Sequence, residues 1–445
     1  LLGQNLPRIL FEAGLSGSDL KEKQMGHKTV LENGLRILTS PMPHTRSVSI
    51  GFFLGVGSRY ETDEQGGASH FIEHMLFKGT EKRPTAKDIA IAIEGIGGLF
   101  NASTSRELTM YWAKVAQPYL GVAVDVLVDM LLRARFEPEE IEKERRVIIE
   151  EINMIFDAPD DWVHVLINQL VWPDHPLGRG IIGTKESVGA LDREALLAHL
   201  ERHYGPTNCV ISLAGNIKHE EMVEKLSNYL SSWPRGQVSP CEPARDDQAQ
   251  PRLHVHYRDT EQAHLCFNVP ALSRGHPDRF NLRVLNTVLG EGMSSRLFLE
   301  IREKRALAYS VVSYITALQD TGAAGIYAAV DPTRVQPAIQ AMLGEWDRLR
   351  QERVSADELT KAKEFLKGRL MLQMEDTFSV AAWFGQQEIL GPDVLTLDEA
   401  IARIEAATTE DIQRLARELF LQEKLNLAVV GPFESEEGFG DLLRL

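Results

Sequence analysis

Apolar positions change period along the chain, and each change marks an element. Lys28 to Leu31 and Leu35 to Leu38 are short β-prone runs on either side of Asn33-Gly34, which predicts a hairpin. Ser47 to Val56 and Leu108 to Val115 read as further strands, with a helix from about Thr85 to Glu94 between them. Between Ala68 and Leu76 the period lengthens: Phe71, Ile72, Met75 and Leu76 cover one side of a helix, and His70, Glu73 and His74 project from the other. Glu137 to Phe156 is a longer helix with Pro138 in its first turn and Asp157-Ala158-Pro159 after it; Ile141, Ile148, Ile152 and Ile155 form its apolar stripe.

Some of these features recur. Val210 to Gly215 and Asn426 to Gly431 both run as a strand into glycine, ending 216 positions apart, and Tyr111 and Tyr327 are separated by the same interval. The acidic pairs Glu140-Ile141 and Glu358-Leu359 lie 218 apart. Such self-similarity predicts two copies of one fold. Strands and helices alternate without the strict rhythm of a parallel sheet, so each copy is expected to be α+β, a mainly antiparallel sheet backed by helices. Trp233 to Arg252, with Pro234, Gly236, Pro240, Pro243 and Pro251, reads as a linker. The expected division is a polar lead-in over 1–24, a first domain over 25–233, a linker over 234–252 and a second domain over 253–445.

The histidine helix carries the candidate chemistry. Two imidazoles at i and i+4 can hold one zinc ion, leaving Glu73 beside the metal, placed to take a proton from a water held there. A bare five-residue match more often marks the solvated face of an amphipathic helix, and two histidines leave a catalytic site one ligand short. The acidic helix offers the third: Glu144 and Glu151 border its apolar stripe, two turns apart, whereas Glu150 points away. Glu151 is the expected ligand and Glu144 the expected hydrogen-bonding support.

With His70-Phe71-Ile72-Glu73-His74 followed after 77 positions by Glu151, the chain resembles the pitrilysin-type inverzincins, a metallopeptidase family that includes mitochondrial processing peptidase. The resemblance extends to Phe77-Lys78-Gly79-Thr80, Asn101-Ala102-Ser103-Thr104, the segment from Glu144 to Ile152, Ser294-Ser295-Arg296-Leu297, and Arg302 seven positions before Tyr309. It covers nearly the whole chain after about residue 25. One departure is Ala306, where relatives commonly carry glycine.

The resemblance implies a zinc endopeptidase acting on unfolded or presequence-like peptides. Its ligands would be His70, His74 and Glu151, with Glu73 as general base. A strand through Asn101 and Ala102 would pair with the substrate backbone, and Arg302 and Tyr309 would reach the substrate carbonyl. The second copy has Asn281 to Leu289 where the motif helix should lie, without a histidine pair, so one zinc per chain is expected. Relatives build a chamber from four such domains; two per chain imply a homodimer. A non-catalytic partner subunit and a metal store are the rival expectations; the first would be marked by a missing histidine or Glu73, and neither is missing, while the second gives Glu73 no purpose.

Composition narrows the rest. At 445 residues and 43% hydrophobic the chain can bury substantial cores. A formal net charge of −16 disfavours nucleic acid as a partner. No apolar run approaches a membrane span, and Leu1 to Leu10 lack the pattern of a secretory signal. Cys209, Cys241 and Cys266 are odd in number with no metal-like spacing, which fits the cytoplasm or another reducing compartment. No role is assigned to His164, His175 or Arg179.

Overall fold

The computed structural model describes residues 26–236 and 240–445, so the lead-in expected over 1–24 lies outside the described residues. Six strands form the first sheet: β1 (His27–Val30), β2 (Arg36–Pro41), β3 (Ser47–Leu54), β4 (Leu99–Thr104), β5 (Thr109–Ala116) and β6 (Cys209–Gly215). Their order is β1-β2-β6-β3-β5-β4. Five strands form the second: β7 (Arg252–Tyr257), β8 (Ala263–Ala271), β9 (Ala308–Ala317), β10 (Gly322–Val330) and β11 (Asn426–Gly431), in the order β7-β11-β8-β10-β9. Without β1, the first sheet has the topology of the second. Each is antiparallel except for one parallel pair, β2 with β6 and β7 with β11.

Register makes the duplication quantitative. Phe52 faces Ile211 on one side and Tyr111 on the other; Phe267 faces Leu427 and Ile326 in the same way. The counterpart of Tyr111 is therefore Ile326, 215 positions on, and not Tyr327. A slip of one residue sends a side chain to the opposite face of a sheet. Tyr111 and Ile326 lie in the cores beneath their own helices, whereas Tyr327 packs on the far face of its sheet. The tyrosine pair at 216 is a coincidence, and the strand and acidic-helix pairs hold.

The asparagine–glycine hairpin forms as its residues require. Gly34 takes φ +93°, a conformation glycine adopts at little cost, and its N–H donates to the Leu31 carbonyl at 2.9 Å. The two halves then exchange a helix. Pro159–Val171 follows the acidic helix of the first half and packs on the second sheet against Cys266, Ala428 and Val430. Thr377–Leu390, at the same place in the second half, packs on the first sheet against Leu38, Phe53, Met110 and Val210. Each sheet is thus buried on both faces, one by its own helices and one by its neighbour's.

Polar ties join the halves as well. Arg59, buried, reaches Glu107 at 2.6 Å, both oxygens of Asp320 at 2.7 Å and the Glu242 carbonyl at 2.6 Å. One guanidinium therefore links the first sheet's β4–β5 turn, the segment before β7 and the β9–β10 turn. Among the described residues, no helix is long and apolar enough to cross a membrane.

Candidate metal centre

The histidine helix spans Ala68–Leu76 and divides as its pattern requires: Phe71, Ile72, Met75 and Leu76 are at most 1% exposed, while His70, Glu73 and His74 are partly accessible. Its first turn is held by Glu61, whose carboxylate accepts from the Gly67 N–H at 2.8 Å and the Ser69 N–H at 2.7 Å. These are two of the donors that a helix start leaves unpaired, and the helix dipole favours an anion there. Burial raises the Glu61 pKa; the two N–H groups oppose that rise. Gly67 sits at φ +91°, where an added Cβ would stand 2.5 Å from the Ile182 carbonyl oxygen.

The acidic helix, Pro138–Asp157, crosses this surface. Ile141 and Ile148 anchor it in the core, and Arg145 fastens its outer side to the carbonyls of Val188 and Leu191. Glu151 Oε2 then lies 3.8 Å from His70 Nε2 and 3.6 Å from His74 Nε2. One ligand atom from each of the three lies within 4.8 Å of the others, the only such group among the described residues. Glu144, almost fully buried, meets His74 Nδ1 at 3.0 Å and is itself paired with Lys78 Nζ at 2.6 Å. A carboxylate at Nδ1 favours the tautomer with the proton there, which leaves Nε2 free on the side of Glu151. Glu150 is exposed and takes no part.

These residues suit a zinc ion. Three donors at about 2.0–2.2 Å from one ion in tetrahedral array would be roughly 3.3–3.6 Å apart, close to the separations above. Burial, and next the neighbouring His74, push His70 down to about 4, so its imidazole is neutral and its lone pair available at ordinary pH. Two nitrogens and one oxygen with an open side make a donor set that zinc accepts in catalytic sites.

Glu73 does not join the donor group. Its Oε2 accepts from Thr104 Oγ1 at 2.5 Å, which turns the carboxylate toward the end of β4. Burial raises its pKa, opposed by the Thr104 hydroxyl and by His74. Strand β4 is the free edge of the first sheet, with alternate residues exposed. Asn101 and Ala102 lie in its middle, and the Asn101 side chain accepts from the Ala102 N–H at 2.8 Å.

Arg302 and Tyr309 are together, but elsewhere. The Arg302 guanidinium lies 4.7 Å from the centre of the Tyr309 ring and 4.9 Å from that of Phe298. Tyr309 is 75% exposed at the start of the edge strand β9. Among the described residues no hydrogen bond or ion pair links this pair to the histidines of its own chain. Between them Ala306 takes φ +47°, the left-handed conformation glycine enters most readily. His164 packs beside Tyr314 and Tyr327, His175 accepts from the Leu177 N–H at 3.1 Å, and Arg179 binds Asp63 and the Glu61 carbonyl; none approaches the donor group.

Sequence reasoning overlooked Thr104, Lys78 and Glu61. The first two stand inside segments that carry the family resemblance, and Lys78 follows His74 by one helical turn, a spacing that could have shown it. Nothing in the sequence marks Glu61 as the cap of a helix that begins seven residues later.

Residues 36–185 match the family described as insulinase (peptidase family M16), and residues 190–366 match the peptidase M16 inactive domain. An uncharacterized zinc protease of Streptomyces coelicolor is 38% identical over 92% of this chain and 90% of its own. One of Bacillus subtilis is 39% identical over 90% and 97%. Among solved structures, a protease from Helicobacter pylori superposes with a TM-score of 0.87 at 22% identity, covering 91% of this chain and 99% of that one. A chain of complex III2 from Candida albicans gives 0.81 at 21%, covering 94% and 98%.

Proposed function

Since the chain belongs to peptidase family M16, we propose that it is a zinc-dependent endopeptidase that hydrolyses unfolded peptides or presequence-like segments, with one zinc per chain. The observation that carries this reading is the convergence of His70, His74 and Glu151 on one point while Glu73, held by Thr104, stays outside the group. The two relatives named zinc proteases, each aligned over nine-tenths of the chain, support the metal and the reaction class.

His70 Nε2, His74 Nε2 and a Glu151 oxygen would hold the ion, and Glu144 would keep His74 in the right tautomer. Zinc, when bound, supplies a Lewis acid that polarises the scissile carbonyl and makes water easier to deprotonate. Glu73 takes the proton from the attacking water and passes it to the leaving amine nitrogen. Thr104 keeps that carboxylate aimed. The free edge of β4, at Asn101 and Ala102, offers main-chain hydrogen bonds to an extended peptide, which suits many sequences and excludes folded ones.

Arg302 and Tyr309 supply a cation and a phenol for the developing oxyanion. Their exposure and their lack of a link to the histidines of their own chain support a homodimer in which each chain serves the other's site. Mixing Glu73→Gln with Arg302→Ala chains then restores part of the activity; verified mixed dimers that stay inactive refute the sharing. The three cysteines are free, two of them buried, in keeping with a reducing compartment.

Mass spectrometry of a pool of unstructured peptides tests the main reading. Zinc-loaded wild type cleaves and zinc-loaded Glu73→Gln does not. If both hold zinc and neither cuts, the peptidase reading loses to its non-catalytic rivals, and the search moves to a missing partner subunit.

A further inference from the structure

The second half keeps a cleft where the first holds its histidines. In the first half the motif helix, the edge strand β4 and the acidic helix meet around His70, Glu73 and Glu151. In the second, the helix Arg279–Gly290, the edge strand β9 and the helix Ala356–Gln373 meet around a cavity, with Thr377–Leu390 closing one side. Register fixes the correspondence on the strands. Ala102 faces Tyr111, and Ser313 faces Ile326, the counterpart of Tyr111; hence Thr104, which holds Glu73, corresponds to Ile315 in the wall of the second cavity.

Arginines, and no histidine among the described residues, line this cavity. Arg274, Arg279 and Arg283 line this cavity, the last two one turn apart on the same helix. Among the described residues none of them forms an ion pair. Among the described residues the Arg274 guanidinium donates only to the Ala317 carbonyl, at 2.9 Å, and its buried Nε has no acceptor. Arg279 donates to the His276 carbonyl and lies over the Phe280 ring at 5.0 Å, while Arg283 is exposed. Burial lowers the pKa of Arg274 and of Arg279, the sign of cations whose lost water has not been replaced by a close carboxylate. Two acids line the cavity as well: Glu291, whose carboxylate accepts from Asn286 at 2.7 Å and Thr287 at 3.1 Å, and Asp393, which offsets part of the burial at Arg279 as Glu107 does at Arg274. Three arginines without an ion-pair partner among the described residues share one concavity in a chain of net charge −16.

We propose that this cavity is a second binding site, one that takes a carboxylate carried by a peptide. Guanidinium forks match the two oxygens of a carboxylate, and two arginines a helical turn apart can grip one group together. That the carboxylate belongs to a peptide rests on the peptidase reading above; the preference for an anion rests on the arginines alone. The group is either an acidic side chain or a C-terminus.

Calorimetry on zinc-loaded Glu73→Gln protein, which does not turn over, separates these cases with three hexapeptides of one neutral sequence: blocked at both ends, with a free C-terminus, and blocked but carrying one glutamate. At least one carboxylate-bearing peptide binds about tenfold tighter than the neutral one at low salt. The advantage shrinks at higher salt. It disappears when Arg279→Gln and Arg283→Gln are added, and the exposed Arg283→Gln alone removes part of it. The arm that binds identifies the source. Equal binding of all three peptides, or an advantage that survives the arginine changes, overturns the proposal. If wild type cleaves peptides while no advantage exists, only this site falls; if the advantage exists and wild type cleaves nothing, the peptidase reading falls and the site stands.

Discussion

Thr104 and Glu73 meet hydroxyl to carboxylate at 2.5 Å, joining the last residue of an exposed edge strand to the helix that carries both histidines. A hydrogen bond to a charged acceptor contributes roughly 1.5–3 kcal/mol, enough to fix one rotamer of a side chain that must reach a water molecule. Replacing Thr104 by valine keeps the shape and removes the donor. Turnover should fall about tenfold or more with zinc content and KM little changed. Steady-state kinetics with metal analysis check this, and unchanged turnover would deny Thr104 its positioning role.

Glu144 acts through His74. Replacing it by alanine leaves Nδ1 without its carboxylate and Lys78 without its partner, so zinc affinity should drop about 10–100-fold. Competition against a chromophoric chelator measures that directly. Wild-type affinity in the variant would mean that His74 is oriented by packing alone.

The motif helix was legible because one short segment carries its whole pattern: apolar and polar residues separate at the helical period, and Glu151 lies on a second helix whose stripe can be read the same way. What escaped reading crosses between elements. Thr104 meets Glu73 only because β4 and the motif helix pack side by side, and Glu61 caps a helix across an intervening turn. The exchange of Pro159–Val171 and Thr377–Leu390 between halves depends on which sheet face lies open, a property of the assembled layers. The pairing of Tyr111 with Tyr327 failed for a different reason: strand equivalence is set by register, and one inserted residue inverts the face while leaving the sequence interval almost unchanged.

His199 and His203 should make the first domain sensitive to acid. Their rings lie 4.5 Å apart on the helix Arg193–His203, against Ser69 of the motif helix. Burial pushes them down to about 3 and about 4; for His199 the neighbouring His203 adds to the effect, and for His203 Arg202 does. A histidine depressed in the folded state is protonated first in the unfolded chain, so stability is full above an unfolded pKa of about 6.5 and declines as pH falls toward the folded values. At pH 5 the loss is about 2 kcal/mol from each residue. Urea midpoints of metal-free protein between pH 7.5 and 5 should fall steeply for wild type and less steeply for a His199→Gln/His203→Gln variant. Equal slopes would contradict the assignment.

Arg59 is the buried tie between the halves, so removing it leaves the Glu107 carboxylate, 2% exposed, without its cation. Breaking one side of a buried pair costs about 3–5 kcal/mol. Asp320 is partly in water and suffers less. Arg59→Met should therefore lower thermal stability markedly, while Arg59→Met combined with Glu107→Gln recovers part of the loss because no charge is left stranded. Calorimetry on the pair decides: if the double variant is no better than the single one, packing of the arginine stem and not its charge holds the junction.

Ala306 closes the π-helical turn Phe298–Lys304 in a left-handed conformation: its N–H donates to the Arg302 carbonyl at 3.2 Å and the next N–H, of Leu307, to the Ile301 carbonyl at 2.8 Å. Glycine is the usual residue at such a helix end, because a Cβ at positive φ costs about 1–2 kcal/mol. Glycine also loses more backbone freedom on folding, about 0.5–1 kcal/mol, so the two effects oppose each other. The strain is the larger, and Ala306→Gly should raise stability by up to about 1 kcal/mol in chemical denaturation. Arg302 and Tyr309 flank this turn, and their mutual contact does not involve the Ala306 side chain, so peptide cleavage should be unchanged. A destabilised variant would mean that the alanine methyl makes contacts worth more than the strain it imposes.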